Sequence, residues 1–552
     1  MSAFRSQITA AIIVFGLLQL SCQYLRGEQS SKKDAGSGQF RIAGTVVSTT
    51  GGSVLAQARV TIRNAQDPKD IQSRLTGDDG HFEFNVRTGK YGLQGAKRGF
   101  ITADYDQHEQ FSTAIVTGTD FDTENILLKL APSAVLVGRV LDESGDPVRH
   151  ANVLLWREDH STGLSRVVRF RNDVTDDQGG YEFTPLDGGT YFLSVSATPW
   201  YAVHPPSTAQ EGAPVIAAAD RNLDVVYPTT YYAGTSDWED ATPILIRGGD
   251  HLELDFHLVP ISAVHVIFRS EPQAENVYGF PQLQQRVFDG IDSQRGRENP
   301  RMISPGVFEV TTAPGKYVVQ LSGPTQNARI NEVDISEDHR EIDTSSGETL
   351  SNVTASAHML GADRVPKDLF VGLRDATRRG GDFRIVNSRG EAVFERVAPG
   401  TYEVVTGSST NSYAVVQITS QDHASSGHTL KVPAATSLSI SLSLVGGNAV
   451  VEGYAKQAGK GIAGAMVVLI PKHPEANREL FRRDQSDLDG SFSLRQVIPG
   501  AYTVIAIANG WDLDWSKPAV ITKYAARGRT IVVPGQANRP IQLPDAVEIQ
   551  PK

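Results

Sequence analysis

The chain is poor in the residues that staple or arm a protein. One cysteine, Cys22, stands among 552 residues, which excludes a disulfide framework and a thiolate-rich metal site. Lys and Arg number 52 against 63 Asp and Glu, a formal charge of −11. The cations are dispersed and form no basic stripe, so nucleic acid is not an expected partner. No G-x-S-x-G, S-x-x-K or H-E-x-x-H stands in a strand-to-helix context, and the 13 histidines are mostly scattered. The residues therefore call for no catalytic nucleophile, base or cofactor, and catalysis is not expected. Long helical periodicity is missing too. Only AQEGAPVIAAAD (209–220), Arg374–Gly380 and the region 471–481 have room for a short helix.

The N-terminus is the one strongly apolar stretch. Arg5 precedes the uncharged residues Ser6–Leu25, whose heart is Ile8–Leu20, the length of a secretory signal. Residues 1–22 read as that signal. Cys22 after Leu20-Ser21 resembles a bacterial lipobox, with Gln19 where the pattern wants leucine. Lipid attachment at Cys22 and ordinary cleavage both stay open. An uncleaved anchor fits less well, because the apolar run is shorter than the ~20 residues of a spanning helix. Residues 23–39 are polar and Gly/Ser-rich, a flexible tether. The expected location is the cell envelope, outer-membrane-anchored or periplasmic, or the medium, with the membrane touched only through this segment.

What the chain has in plenty is a repeated turn and strand. Asp487–Val504 (DLDGSFSLRQVIPGAYTV) has variants at Thr76–Leu93, Thr175–Leu193, Ser304–Val319 and Asn387–Val405. Phe492 and Leu494 alternate with Ser491, Ser493 and Arg495, the period of a half-buried strand. Asp489-Gly490 before it and Pro499-Gly500 after it supply turns. A tyrosine follows each second turn, at Tyr91, Tyr191, Tyr317, Tyr402 and Tyr502, two residues after a glycine. A phenol entering a core needs a hydrogen-bond partner, so a backbone bond like the tyrosine corner of β-sandwiches is expected. Successive tyrosines lie 100, 126, 85 and 100 residues apart, which is domain spacing rather than a short solenoid repeat.

The expected architecture is all-β, about five tandem immunoglobulin-like or prealbumin-like sandwiches: residues 40–131, 132–260 with an extra segment at 205–250, 261–341, 342–446 and 447–547. Module two opens LVGRVLDESGDPVRHANVLLW (Leu136–Trp156) and carries Gly138, Asp142, Gly145, Pro147, Ala151 and Val153, then Gly180-Tyr181-Glu182-Phe183 and Gly189-Thr190-Tyr191. This pattern resembles the carboxypeptidase regulatory-like domain, a prealbumin-like and starch-binding-like sandwich. Modules one and five share it without the turn proline, and modules three and four keep only its second half. The resemblance implies an accessory role in stabilising, spacing or binding, and brings no catalytic residues.

Two acidic constellations invite a metal reading. His251, Glu253, Asp255 and His257 share one face of a strand, but same-face neighbours lie nearly 7 Å apart, and a solvated face explains them as well. The run Asp484–Gly490 resembles part of a calcium loop, yet Gln485 and Gln496 stand where first and last ligands belong, and a hairpin turn accounts for it. No metal is expected. The aromatic residues are more suggestive. Trp511 and Trp515, Trp200 and Tyr201, and Tyr232 with Trp238 stand in loops beside Asp, Asn and Thr, the mixture of a carbohydrate-stacking surface; packing at sandwich ends or between modules is the alternative. The expected function is non-catalytic binding or spacing at the envelope, with a polysaccharide or an envelope protein as partner. A hydrolase or metal site around His251–His257 is the rival.

Overall fold

The computed structural model describes residues 40–204 and 221–552 apart from 271, 275–276, 293–299, 323–328, 344–347, 362–363, 376–380, 410, 421–423 and 536–538. The expected signal with Cys22, the tether and the stretch 209–220 lie outside the described residues.

Module one shows how pattern becomes layer. In the strand His81–Val86, Phe82, Phe84 and Val86 are buried while His81, Glu83 and Asn85 face solvent. This strand pairs antiparallel with Phe40–Ser48, whose other edge runs parallel to Ile126–Leu130. Across the core, Arg59–Asn64 pairs with both Ile71–Leu75 and Lys90–Ala96 in a second sheet. Ile42, Phe84, Tyr91 and Leu128 fill the space between the two layers.

The same plan recurs along the chain, and the parallel pairing of first and last strands marks each copy. Ala134–Leu141 runs beside His251–Glu253 and Phe256–His257, Val264–Arg269 beside Arg340–Asp343, and Ser351–Met359 beside Ser437–Gly447. Ala449–Gln457 runs beside Ile541–Gln542 and Val547–Gln550. Each copy has its own apolar core. The protein is an all-β chain of tandem sandwich modules. In module four the two layers join, because Ser412–Ser420 pairs with Ser437–Gly447.

The G-x-V strand has a physical explanation in the closing pair. A β-carbon on Gly44 would sit 2.0 Å from the carbonyl oxygen of Ile126, and one on Gly138 would sit 1.9 Å from that of Leu254. First and last strands meet there at a distance that only glycine allows.

The tyrosine bond forms five times with one geometry. Tyr91 donates to the Arg87 carbonyl at 3.0 Å, Tyr191 to Asp187 at 2.9 Å, Tyr317 to Ala313 at 2.8 Å, Tyr402 to Ala398 at 2.7 Å and Tyr502 to Ile498 at 2.8 Å. Each bond reaches back four residues, across the turn that launches the tyrosine strand. Burial pushes the Tyr502 phenol up to about 12, so it donates at every ordinary pH. Tyr402→Phe leaves the Ala398 carbonyl without this donor and is expected to destabilise module four by about 1 kcal/mol, read as a lowered urea midpoint.

One element departs from the expectation of strands alone. Pro518–Ala525 is an α-helix with proline in its first turn and Ile521 buried. Its β-branched Val520-Ile521-Thr522 reads as strand locally, but proline at the helix start and an apolar neighbour under Ile521 decide the matter. Within 471–481 only Arg478–Leu480 winds, as one 3-10 turn.

Candidate functional site

Trp511 and Trp515 do not form a surface platform. They are 9% and 8% exposed, in the loop after the tyrosine strand Gly500–Ile507 of module five. His108 stacks on Trp511 at 5.0 Å between ring centroids, and Phe111 packs beside it at 5.6 Å; both come from module one. The Trp511 indole donates to the Gly464 carbonyl at 3.2 Å. Trp515 packs on Phe481, and Gly163 of module two lies so close that a β-carbon there would approach its ring to 2.6 Å. No ring-sized face is left for a sugar.

Arg483 stands between these rings. Its guanidinium lies 4.4 Å from the Trp515 centroid, 5.2 Å from Phe111 and 5.9 Å from Trp511. It donates to both carboxylate oxygens of Glu109, at 3.0 and 2.6 Å, and to the Ser161 carbonyl at 3.1 Å. A buried charge is tolerable only when paired and hydrogen-bonded. Here the partners come from module one and module two, so one module-five side chain joins three modules.

The acidic run Asp484–Gly490 serves this junction too. Gly490 is in the left-handed region and its amide donates to the Asp487 carbonyl at 2.8 Å, closing a hairpin turn. Asp487 accepts from the Ala114 amide at 2.9 Å and from Lys90 Nζ at 2.7 Å, both in module one. Asp484 accepts from the Ser493 amide at 2.6 Å, and burial pushes it up to about 6. The carboxylates are occupied by the chain's own donors.

His251, Glu253, Asp255 and His257 all face solvent on the edge of module two. The Asp255 carboxylate accepts from the Arg139 amide at 2.8 Å and so pins the closing strand to the opening one. Among the described residues, no group of three or more His, Cys, Asp or Glu side chains has the arrangement to hold a metal ion.

The remaining aromatic residues divide. Trp200 is 86% exposed, with Tyr201 edge-on at 5.7 Å. Tyr201 and Tyr227 both donate to the Glu143 carboxylate, the latter at 2.8 Å. Burial alone would raise Glu143, but the two phenols hold it below its ordinary value. Tyr232 packs against Phe256 in the core of module two, at 6.2 Å. Trp238 opens the 3-10 turn Trp238–Asp240, capped by Asp237, whose carboxylate accepts from the Glu239 amide at 3.0 Å. Its indole meets Phe288 of module three at 5.6 Å, and Trp156, Phe192 and Tyr231 surround the same phenyl ring at 5.3, 4.9 and 6.0 Å. A phenylalanine of one module thus plugs an aromatic box in another.

Beside that plug lies a cleft of about 1000 Å³ between modules two and three. Trp238, Asp237 and Glu239 stand on its module-two wall, and Gln285, Arg301 and Lys316 on its module-three wall. An indole edge with carboxylates, an amide and exposed cations offers ring contact together with donors and acceptors. Sequence reading found Trp238 but not the opposite wall, since nothing local in Gln285, Arg301 or Lys316 marks a cleft made by two modules meeting.

No family model matches the chain, and no curated protein matches it. Among solved structures, the Bacillus anthracis TIE protein aligns at 10% identity over 75% of this chain and 76% of its own, with a TM-score of 0.18. The shaft pilin SpaA from Lactobacillus rhamnosus GG aligns at 11% over 41% of this chain and 99% of its own, with a TM-score of 0.19. The streptococcal ancillary pilin aligns at 10% over 55% and 98%, with a TM-score of 0.18. Scores this low carry no inference about this chain, whose architecture stands on its own strand pairing. Among the described residues no helix is long and apolar enough to cross a membrane.

Proposed function

We propose that this chain is a non-catalytic exported protein of the cell envelope, and that the cleft between modules two and three binds a carbohydrate chain. The observation that carries the reading is the composition of the cleft. The half-buried Trp238 indole stands beside Asp237 and Glu239 and opposite Gln285, Arg301 and Lys316 in about 1000 Å³, a size suited to a short stretch of sugar rings. Sugar C–H faces take the ring and hydroxyls take the polar groups. Export, with or without a lipid on Cys22, belongs to the same proposal and rests on the N-terminal residues. The carboxypeptidase regulatory-like character of modules one, two and five is likewise proposed, supported by Gly44 and Gly138 at the closing pair and by the tyrosine corners.

Affinity electrophoresis against a polysaccharide panel tests this. A retarding glycan should lose at least about tenfold in affinity with Trp238→Ala, equivalent to ~1.4 kcal/mol. Because Trp238 also touches Phe288, Arg301→Ala together with Lys316→Ala on the opposite wall should weaken the same glycan with the module contact intact. Absence of retardation by any glycan, or retention unchanged in both variants, contradicts the reading and leaves a protein-binding adhesin or a spacer.

A further inference from the structure

Behind the cleft-lining residues Glu309 and Thr311 stands a buried histidine that contacts two modules. His265 is the second residue of the strand Val264–Arg269 of module three and is 3% exposed. Its Nε2 lies 2.7 Å from Asp224 Oδ2, a carboxylate of module two's extra segment. On the other side its Nδ1 faces Thr311 Oγ1 at 3.3 Å and Glu309 Oε1 at 3.6 Å. Asp338 accepts from the His265 amide at 2.8 Å, and the His339 ring stacks on the imidazole at 5.8 Å. Asp224 also holds His204 Nδ1 at 2.9 Å through its second oxygen.

The same aspartate sits at the joint between modules. Its carbonyl accepts from the Ala263 amide at 2.9 Å, and the next residues, Val225–Val226, pair with Ile261–Ser262 in a two-strand ladder. Residues 261–263 carry the chain from module two into module three. His204, Glu309 and Thr311 line the cleft itself. The histidine therefore ties the joint to both walls.

A neutral imidazole has one N–H and one lone pair. The neutral ring can still donate to Asp224 and accept from the Thr311 hydroxyl, but only the protonated ring places a positive charge between the Asp224 carboxylate of module two and the Glu309 carboxylate of module three. We propose that protonated His265 is a latch that fixes module three against module two, and that loss of its proton frees the walls of the cleft to move apart. The inference rests on reading that cleft as the binding site for its functional meaning, while its test requires no ligand.

Interaction with Glu309 first, and with Asp224 next, outweighs burial and raises the imidazole from 6.5 to about 9. A group whose folded value lies above its unfolded one stabilises fully below the unfolded value and is lost as pH rises through the folded one. The latch is accordingly set below pH 6.5 and released through about pH 9.

Spin labels at Asp177→Cys in module two and Met302→Cys in module three, in a Cys22→Ser chain, report the distance between modules. The expected result is a narrow distribution from pH 6 to 8 that broadens with a midpoint near 9. His265→Gln should be broad throughout and lose that midpoint. Asp224→Asn removes the partner from the other module without touching the core of module three, and should do the same, while His339→Gln should keep the midpoint. A narrow distribution in wild type at pH 10.5, or an unchanged midpoint in Asp224→Asn, overturns the proposal. If the latch behaves as expected and no glycan binds, the carbohydrate reading fails and the latch stands.

Discussion

Arg483→Ala is expected to destabilise the junction of modules one, two and five by about 3 kcal/mol, because it leaves the half-buried Glu109 carboxylate without its partner and empties the space between the rings. The side chain is 4% exposed and Glu109 20% exposed, so water replaces only part of the lost bonds. The variant also removes the cation lying over Trp515. Tryptophan emission should shift red as Trp511 and Trp515 meet solvent, and the first urea transition should move to lower denaturant. Arg483→Met preserves most of the packing but still strands Glu109. Adding Glu109→Gln to Arg483→Met should recover part of the loss, since removing both charges of a buried pair is milder than removing one. An unchanged first transition in Arg483→Ala would mean that the junction contributes nothing to stability.

Gly138→Ala is expected to cost module two about 3 kcal/mol. Its β-carbon would stand 1.9 Å from the Leu254 carbonyl oxygen and 2.7 Å from the Tyr181 hydroxyl. Neither can retreat freely. The Leu254 carbonyl accepts the Tyr181 hydrogen bond, and the Leu254 amide donates to the Val137 carbonyl at 2.9 Å. The closing strand must lift away from the opening one. Gly92→Ala is the matched control, because nothing lies within 4 Å of a β-carbon there, and it should change stability by less than about 0.5 kcal/mol. Thermal unfolding separates the two, and equal effects would contradict the close-approach explanation.

The parts of this protein that were legible in its residues are the parts decided locally. A turn, an alternating strand, a second turn and a tyrosine need only neighbours in sequence, and the hydroxyl of each tyrosine finds a carbonyl four residues back. The hairpin turn read in the run Asp484–Gly490 forms for the same reason, closed by the Gly490 amide on the Asp487 carbonyl. Trp511 and Trp515 were placed in a loop, as they are, but what covers them is Phe111 and His108, some four hundred residues earlier, and Gly163 in a third module. An arginine such as Arg483 reads as a solvated charge until its partners arrive from other modules. Phe288 shows the same limit: one apolar residue beyond a strand has no signal of its own, yet it fills the aromatic box that aligns modules two and three. The cleft follows from that alignment. The helix Pro518–Ala525 was missed because its β-branched residues favour strand and only the packing of Ile521 settles it.

The central claim is that these tandem modules form one closed body, with module five returning to modules one and two, rather than a string of independent beads. Small-angle X-ray scattering on residues 40–552 tests it most directly. The expected profile matches the closed arrangement, and its maximum dimension grows in Arg483→Ala. A wild-type profile that requires module one and module five to lie apart, with the same dimension in the variant, would contradict the account.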